Sequence, residues 1–218
     1  MKKYSLVIFD LDGTIINDTV YIWQTLHDYF NTDPVQRRQA HQDYLSGRIN
    51  YAQWAGNDLV LLQDKRAGKK DISALFQTLS LVPNARDTLY SLKRKQYRLA
   101  IISGSVDLAL YTALPEADTL FDDIFINKLC FDNNDLLENI VPTSFDMEHK
   151  AAGLHFLVNK YNVSTDEVVF VGDNENDIHI AREAGLSIAF NSKSRQLNEI
   201  ASVVIPGNDL SKILDYIE

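Results

Sequence analysis

The chain has 218 residues, 45% of them hydrophobic, and a formal net charge of -9. That length suits one large α/β domain or a core with a smaller insert, and the negative balance argues against nucleic acid or an anionic membrane as a bulk partner, since either needs a broad positive field. No stretch approaches the roughly 18 apolar residues of a membrane span, no cleavage-site pattern opens the chain, and the single cysteine, Cys130, allows neither an intrachain disulfide nor a thiolate cluster, so a cytoplasmic protein is expected.

Residues 6–9 form a continuous apolar run closed by Asp10, the pattern of a strand buried on both faces in a parallel sheet. Residues 16–81 contain no such run. Their apolar spacing predicts helices near 19–30, 34–45, 51–62 and 72–79, hence a small helical domain inserted after the first strand. Pro83 and Asn84 open a further helix with Ala85, Leu89 and Leu92 on one face. A buried strand over 99–102 ends at Ser103-Gly104, and residues 124–141 read as a β-hairpin turning at Asn133-Asn134-Asp135. A helix over 148–161 leads to strands at 168–171, 186–190 and 203–205. Strands alternating with helices imply right-handed βαβ units, so the expected fold is α/β: a doubly wound, mostly parallel, Rossmann-like sheet with an inserted helical domain. Ligands of such sheets sit at the carboxyl ends of the strands.

Asp10-Leu11-Asp12-Gly13-Thr14 stands at one of those ends. Two carboxylates one residue apart repel unless a cation or a proton separates them, and an ordinary Asp-Gly turn is the alternative. Gly172-Asp173-Asn174-Glu175-Asn176-Asp177 closes another apolar run and brings two more acids to the same edge. Four acids in one site call for Mg2+, a hard cation that prefers oxygen ligands. Ser103 and Gly104 are expected to offer backbone N–H groups to an anion at the start of the next helix, although helix capping explains a Ser-Gly-Ser cluster as well. Lys150 would supply the positive charge that a phosphoryl group and a carboxylate nucleophile both need, against the reading of an exposed helix-start lysine.

In this order the four pieces resemble the haloacid dehalogenase superfamily over nearly the whole chain. The resemblance makes Asp10 the nucleophile and Asp12 the acid and base. It assigns Ser103 and Gly104 to the phosphoryl oxygens, Lys150 to a bridge between nucleophile and phosphate, and Asp173 with Asp10 and the main-chain oxygen of Asp12 to Mg2+. Asp177 and Asn176 support the site, Asn176 on the phosphate side. A core of residues 1–15 and 82–218 with a helical cap at 16–81 is implied, and Gly47-Arg48-Ile49-Asn50-Tyr51, the hairpin and Glu148-His149-Lys150-Ala151-Ala152 are similar to the phosphoserine-phosphatase-like branch. The implied activity is Mg2+-dependent hydrolysis of a small phosphorylated metabolite through an aspartyl phosphate. The branch pairs a Glu and an Arg with the amino-acid end of phosphoserine, where this chain has Thr19 and Gly56, so a substrate other than phosphoserine is expected unless Asp18 or Arg48 takes over. A true phosphoserine phosphatase, a phosphomutase and a non-catalytic binding protein remain alternatives.

Trp23, Trp54, Tyr21 and Tyr51 are expected to build the insert's own core, with a pocket wall as the alternative. The histidines, His27, His41, His149, His155 and His179, show no metal-ligand spacing and are assigned to surface or packing, and Cys130 to filling in the hairpin. The basic stretches at 65–66, 69–70 and 93–95 are expected to be solvated surface.

Overall fold

The four residues of the first strand, β1 (Leu6–Phe9), are all fully buried, and they divide by parity. Val7 and Phe9 join one apolar cluster, Leu6 and Ile8 the other, so alternating side chains feed two cores on opposite faces of one sheet. The computed structural model describes residues 3–17, 19 and 21–217. After β1 come α1 (Ile22–Phe30), α2 (Pro34–Leu45), α3 (Tyr51–Asp64) and α4 (Lys69–Phe76). Next are α5 (Ala85–Arg94), β2 (Arg98–Val106), α6 (Asp107–Ala113), α7 (Ala117–Leu120), β3 (Asp123–Phe131) and β4 (Leu137–Val141). The remainder alternates: α8 (Lys150–Tyr161), β5 (Val168–Gly172), α9 (Ile178–Glu183), β6 (Leu186–Phe190), α10 (Arg195–Ile200), β7 (Val203–Ile205) and α11 (Leu214–Ile217).

The described strands form one sheet in the order β4-β3-β2-β1-β5-β6-β7, parallel except for the antiparallel β3–β4 hairpin. The chain leaves β1 toward β2 and later returns to β1's other side as β5. That reversal opens a crevice beyond the carboxyl ends of β1 and β5, where Asp10 and Asp173 follow their strands. The amide of Asp10 donates to the carbonyl of Val171 at 2.9 Å, holding the two strand ends level.

The helices of the insert form where their caps allow. Asp33 accepts from the amides of Val35 and Gln36 with Pro34 as the first residue of α2, and Asn50 and Gln53 make a reciprocal capping box on α3. Their apolar sides do not form a separate core: Ile22, Leu26, Ala55, Leu62, Ile72 and Phe76 belong to the same cluster as Val7 and Phe9. The fourth helix lies three residues earlier than its expected place at 72–79, because Gly68 starts it and Gln77 ends it.

A larger departure is β2, expected to stop at Ile102 before a helix. It continues through Ser103, Gly104 and Ser105 to Val106, and α6 begins only at Asp107. Asn127 of β3 holds this extension: its side-chain amide donates to the carbonyls of Gly104 at 2.6 Å and Ser105 at 3.1 Å, across a register shift between Ile102 and Val106. The expected anion site on a helix N-terminus is therefore a bulged strand end. No helix among the described residues is long and apolar enough to cross a membrane.

Candidate active site

Lys150 is the first residue of α8, and its side chain runs into the protein until nothing of it is exposed. Its Nζ donates to Oδ1 of Asp10 at 2.6 Å and to Oδ1 of Asp177 at 2.7 Å. The other oxygen of Asp177 accepts the amides of Asp173 and Asn174, so this acid is wholly occupied in holding the lysine and the turn after β5. One carboxylate oxygen from each of Asp10, Asp173 and Asp177 lies within 4.8 Å of the others. Asp12 accepts the amide of Ile22 at 2.7 Å and the hydroxyl of Ser105 at 2.8 Å, which places its carboxylate at the amino end of α1.

These groups alter one another's acidity. Burial, then the neighbouring charge of Asp10, pushes Asp12 up to about 7, where a carboxyl can both give and take a proton near neutral pH. Asp173 is raised well above the ordinary carboxylate range by burial and by Asp10 and Asp177, and Asp177 is raised by burial against the opposing pull of Lys150. Burial would drain the charge from Lys150, but Asp10, Asp177 and Asp146 together outweigh it and hold the ammonium protonated. One lysine cannot balance this many acids. Asp173 Oδ1 is buried without a hydrogen-bond partner among the described residues, and the phenol of Tyr21 is pushed up to about 12 by its burial and by the acids Asp173, Asp177, Glu175 and Asp10. An orphaned buried carboxylate oxygen in a negative field fits a divalent cation with oxygen ligands.

Gly13 shows why the first motif needs its glycine. Its φ is +75°, and an added Cβ would stand 2.3 Å from Oδ2 of Asp173. Gly104 is as tightly approached, with an added Cβ 2.0 Å from Oδ2 of Asp146. Gly104→Ala is expected to displace Asp146 and to lower stability by about 1–3 kcal/mol. In an Asp146→Ala background the same change should cost far less. Urea denaturation of the four proteins measures the coupling, and strictly additive effects would contradict this account.

Above the acids lies a cavity of about 470 Å³. Of the residues expected to act in catalysis, phosphate binding or metal binding, all border it except Lys150 and Asp177, which are fully buried. Asn176 lines it with its carbonyl oxygen buried and unpartnered among the described residues. Tyr21, Trp23, Tyr51 and Trp54 line it too, so the aromatics expected to build the insert's own core form a pocket wall instead, and only Trp23 of the four also packs against the shared apolar cluster. Thr19 and Gly56 do not border it: Thr19 is buried with its hydroxyl 3.4 Å from that of Thr25. Arg48 is spent on Asp43, with Nε donating at 2.8 Å, and Asp18 lies outside the described residues. Among the described residues of the insert, the charged groups that line the cavity are Asp28, Arg37, Arg38 and Asp58, at positions other than 19 and 56. His27 and His41 also line it, and His27, buried, meets Asp58 at 3.1 Å. His149, His155 and His179 are exposed, as are the basic residues at 65–66 and 69–70, and Cys130 is half-buried in β3.

Asp146 and Ser105 escaped the sequence reading. Asp146 is buried, lines the cavity and has one oxygen without a partner among the described residues. In sequence it resembles a helix cap before Lys150. Ser105 had a usable signal: a strand running on past Ser103 places both serines on one side.

Residues 4–185 match the family model for haloacid dehalogenase-like hydrolases. The phosphoserine phosphatase of Methanocaldococcus jannaschii is 26% identical over 219 residues, covering 100% of this chain and 99% of that protein. That of Campylobacter jejuni subsp. doylei is 28% identical over 97% of this chain and 99% of its own. A solved phospho-aspartyl intermediate analogue of phosphoserine phosphatase superposes with a TM-score of 0.77 at 25% identity, with complete coverage of both chains.

Proposed function

The chain belongs to the haloacid dehalogenase-like hydrolases, and from that premise we propose that it is a Mg2+-dependent phosphatase of small phosphorylated metabolites that works through an aspartyl phosphate on Asp10. The observation that carries this reading is the buried pairing of Lys150 with Asp10 at 2.6 Å, beside an acid, Asp12, poised near neutral pH. The Asp10 carboxylate attacks phosphorus as the ester P–O bond breaks, and Asp12 gives its proton to the departing oxygen. Asp12 then takes a proton from water, whose oxygen attacks the phosphorus of the aspartyl phosphate, releasing inorganic phosphate and restoring the Asp10 carboxylate. Ser103, Gly104 and Asn176 hold phosphoryl oxygens, while Asp177 fixes Lys150, which offsets the negative charge of nucleophile and phosphate. Asp10, Asp173 and the main-chain oxygen of Asp12 are the groups that would hold Mg2+, which supplies positive charge against the phosphoryl oxygens.

In this reading residues 1–15 and 82–218 are the catalytic core and 16–81 the cap that encloses the leaving group. The relatives' names make L-phosphoserine the first substrate to try. The cap nevertheless presents neither an acid at 19 nor a cation at 56, so another phosphorylated metabolite is favoured as the better substrate.

Hydrolysis of p-nitrophenyl phosphate with Mg2+ tests the activity. Exhaustive EDTA treatment is expected to stop turnover, and Mg2+ to restore it and to raise Tm above that of the chelated protein. Full turnover after chelation would overturn the metal requirement, and absence of turnover toward any phosphomonoester would overturn the enzyme.

A further inference from the structure

Asn127 of β3 has no exposed surface, and its side-chain amide has a full set of partners. The oxygen accepts the backbone amide of Thr143 at 2.9 Å, which fixes which end of the side chain is oxygen. The nitrogen then faces the carbonyls of Gly104 at 2.6 Å and Ser105 at 3.1 Å, which use its two hydrogens. The hydroxyl of Tyr51, the first residue of α3, stands 2.9 Å from that nitrogen and 3.2 Å from the oxygen. With both amide hydrogens on carbonyls, the phenol is the donor to the oxygen. Burial and the charge of Asp146 push this phenol well above its ordinary range, so it keeps the proton it donates. One side chain thus joins the end of β2, the segment that leads to Lys150, and the insert.

The end of β2 needs such a partner. Four residues of β2, from Ile102 to Val106, run beside two of β3, from Phe125 to Asn127. The extra residues leave the ladder, and the Asn127 side chain takes up their carbonyls. A trans peptide points its carbonyl and its N–H in opposite directions. Holding the carbonyl of Gly104 toward Asn127 therefore turns the N–H of Ser105 the other way, where it donates to Oγ of Ser103 at 3.2 Å. Ser103 lines the cavity, and the hydroxyl of Ser105 donates to Asp12 at 2.8 Å. The insert grips the same peptide twice: the indole of Trp23 donates to the carbonyl of Gly104 at 2.8 Å, and Tyr51 reaches it through Asn127.

We propose that Asn127 is a positioning residue for phosphoryl binding, and that the hydroxyl of Tyr51 acts on the phosphoryl site through it. The proposal rests on the phosphatase reading above. Without the Asn127 amide, the peptide between Gly104 and Ser105 is free to turn, and the hydroxyl and N–H groups meant for phosphoryl oxygens turn with it. Misplacement by about 1 Å can cost about 100-fold in rate.

Inorganic phosphate is the probe, because it fills the phosphoryl site and carries no leaving group to meet the rest of the cavity. In Mg2+, its Ki against p-nitrophenyl phosphate and the rise in Tm that it produces would be measured for the unaltered protein, Asn127→Leu, Tyr51→Phe and the double variant. Asn127→Leu should weaken phosphate about tenfold or more and shrink the phosphate-induced rise in Tm, a reading that needs no turnover. Tyr51→Phe should weaken phosphate about threefold, the loss of one hydrogen bond, and should add little once Asn127 is gone. A lower Tm with an unchanged Ki and an unchanged phosphate-induced rise would make Asn127 merely structural and overturn the proposal. Strictly additive losses would overturn the action of Tyr51 through Asn127. Should Asn127→Leu fail to fold, Asn127→Ser makes the same comparison. Phosphate without effect on the unaltered protein would instead overturn the phosphatase reading, so the two failures stay distinct.

Discussion

Asp10→Asn is expected to lower kcat by on the order of 10⁴-fold or more while leaving the protein folded, because an amide of the same shape is no nucleophile toward phosphorus. The substitution is mild on the structure. Lys150 donates to Oδ1 of Asp10, and the amide carbonyl of an asparagine accepts the same bond. Phosphate monoesters are among the slowest substrates to hydrolyse unaided, so any residual rate would come from the charges and acid left in place. Steady-state kinetics with p-nitrophenyl phosphate, alongside circular dichroism, measures both halves of the expectation. A variant within about tenfold of the parent rate would remove Asp10 from the chemistry.

Lys150→Met should cost both activity and stability, for one electrostatic reason. Lys150 is fully buried between Asp10 and Asp177, and removing one member of a buried charge cluster leaves the others uncompensated, at about 3–5 kcal/mol. For a protein of this size that is a fall in Tm of roughly 2–4 °C per kcal/mol. Activity should fall with it, since Asp10 and a bound phosphoryl group would face each other with less positive charge between them. Calorimetry in a chelator isolates the structural part, since added metal would itself offset some of the freed negative charge. An unchanged Tm together with near-parental turnover would contradict the role assigned to Lys150.

The position of Asp10 was legible because two local signals agree on it, a run of four apolar residues and a carboxylate at its end, whereas the role of nucleophile proposed for it came from the family resemblance. Strand parity then places the run between two cores, as the structure shows. Asp173 and Asp177 were legible for the same reason after β5. Local patterns failed where a distant contact decides. Ser103-Gly104-Ser105 looks like a helix start, but Asn127, remote in sequence, holds its carbonyls and keeps it extended. His27 and Asp58 have no common motif, since they sit on different helices and meet only when α1 and α3 pack. Thr19 and Gly56 were compared with a family pattern position by position, whereas the cavity is lined by one face of each helix, and α2 and α3 turn Arg37, Arg38 and Asp58 toward it instead. Trp23 and Trp54 could be read as core or wall from spacing alone, and both line the cavity.

The most direct measurement is chemical identification of the phosphorylated residue. Protein quenched during turnover and treated with borohydride would have an aspartyl phosphate reduced to homoserine, whereas a phosphoserine would survive unchanged. Peptide mass spectrometry is expected to find homoserine at position 10, in an amount that rises with substrate and is absent without it. Phosphate on Ser103 or Ser105, or sustained turnover with position 10 unmodified at every quench time, would contradict the account.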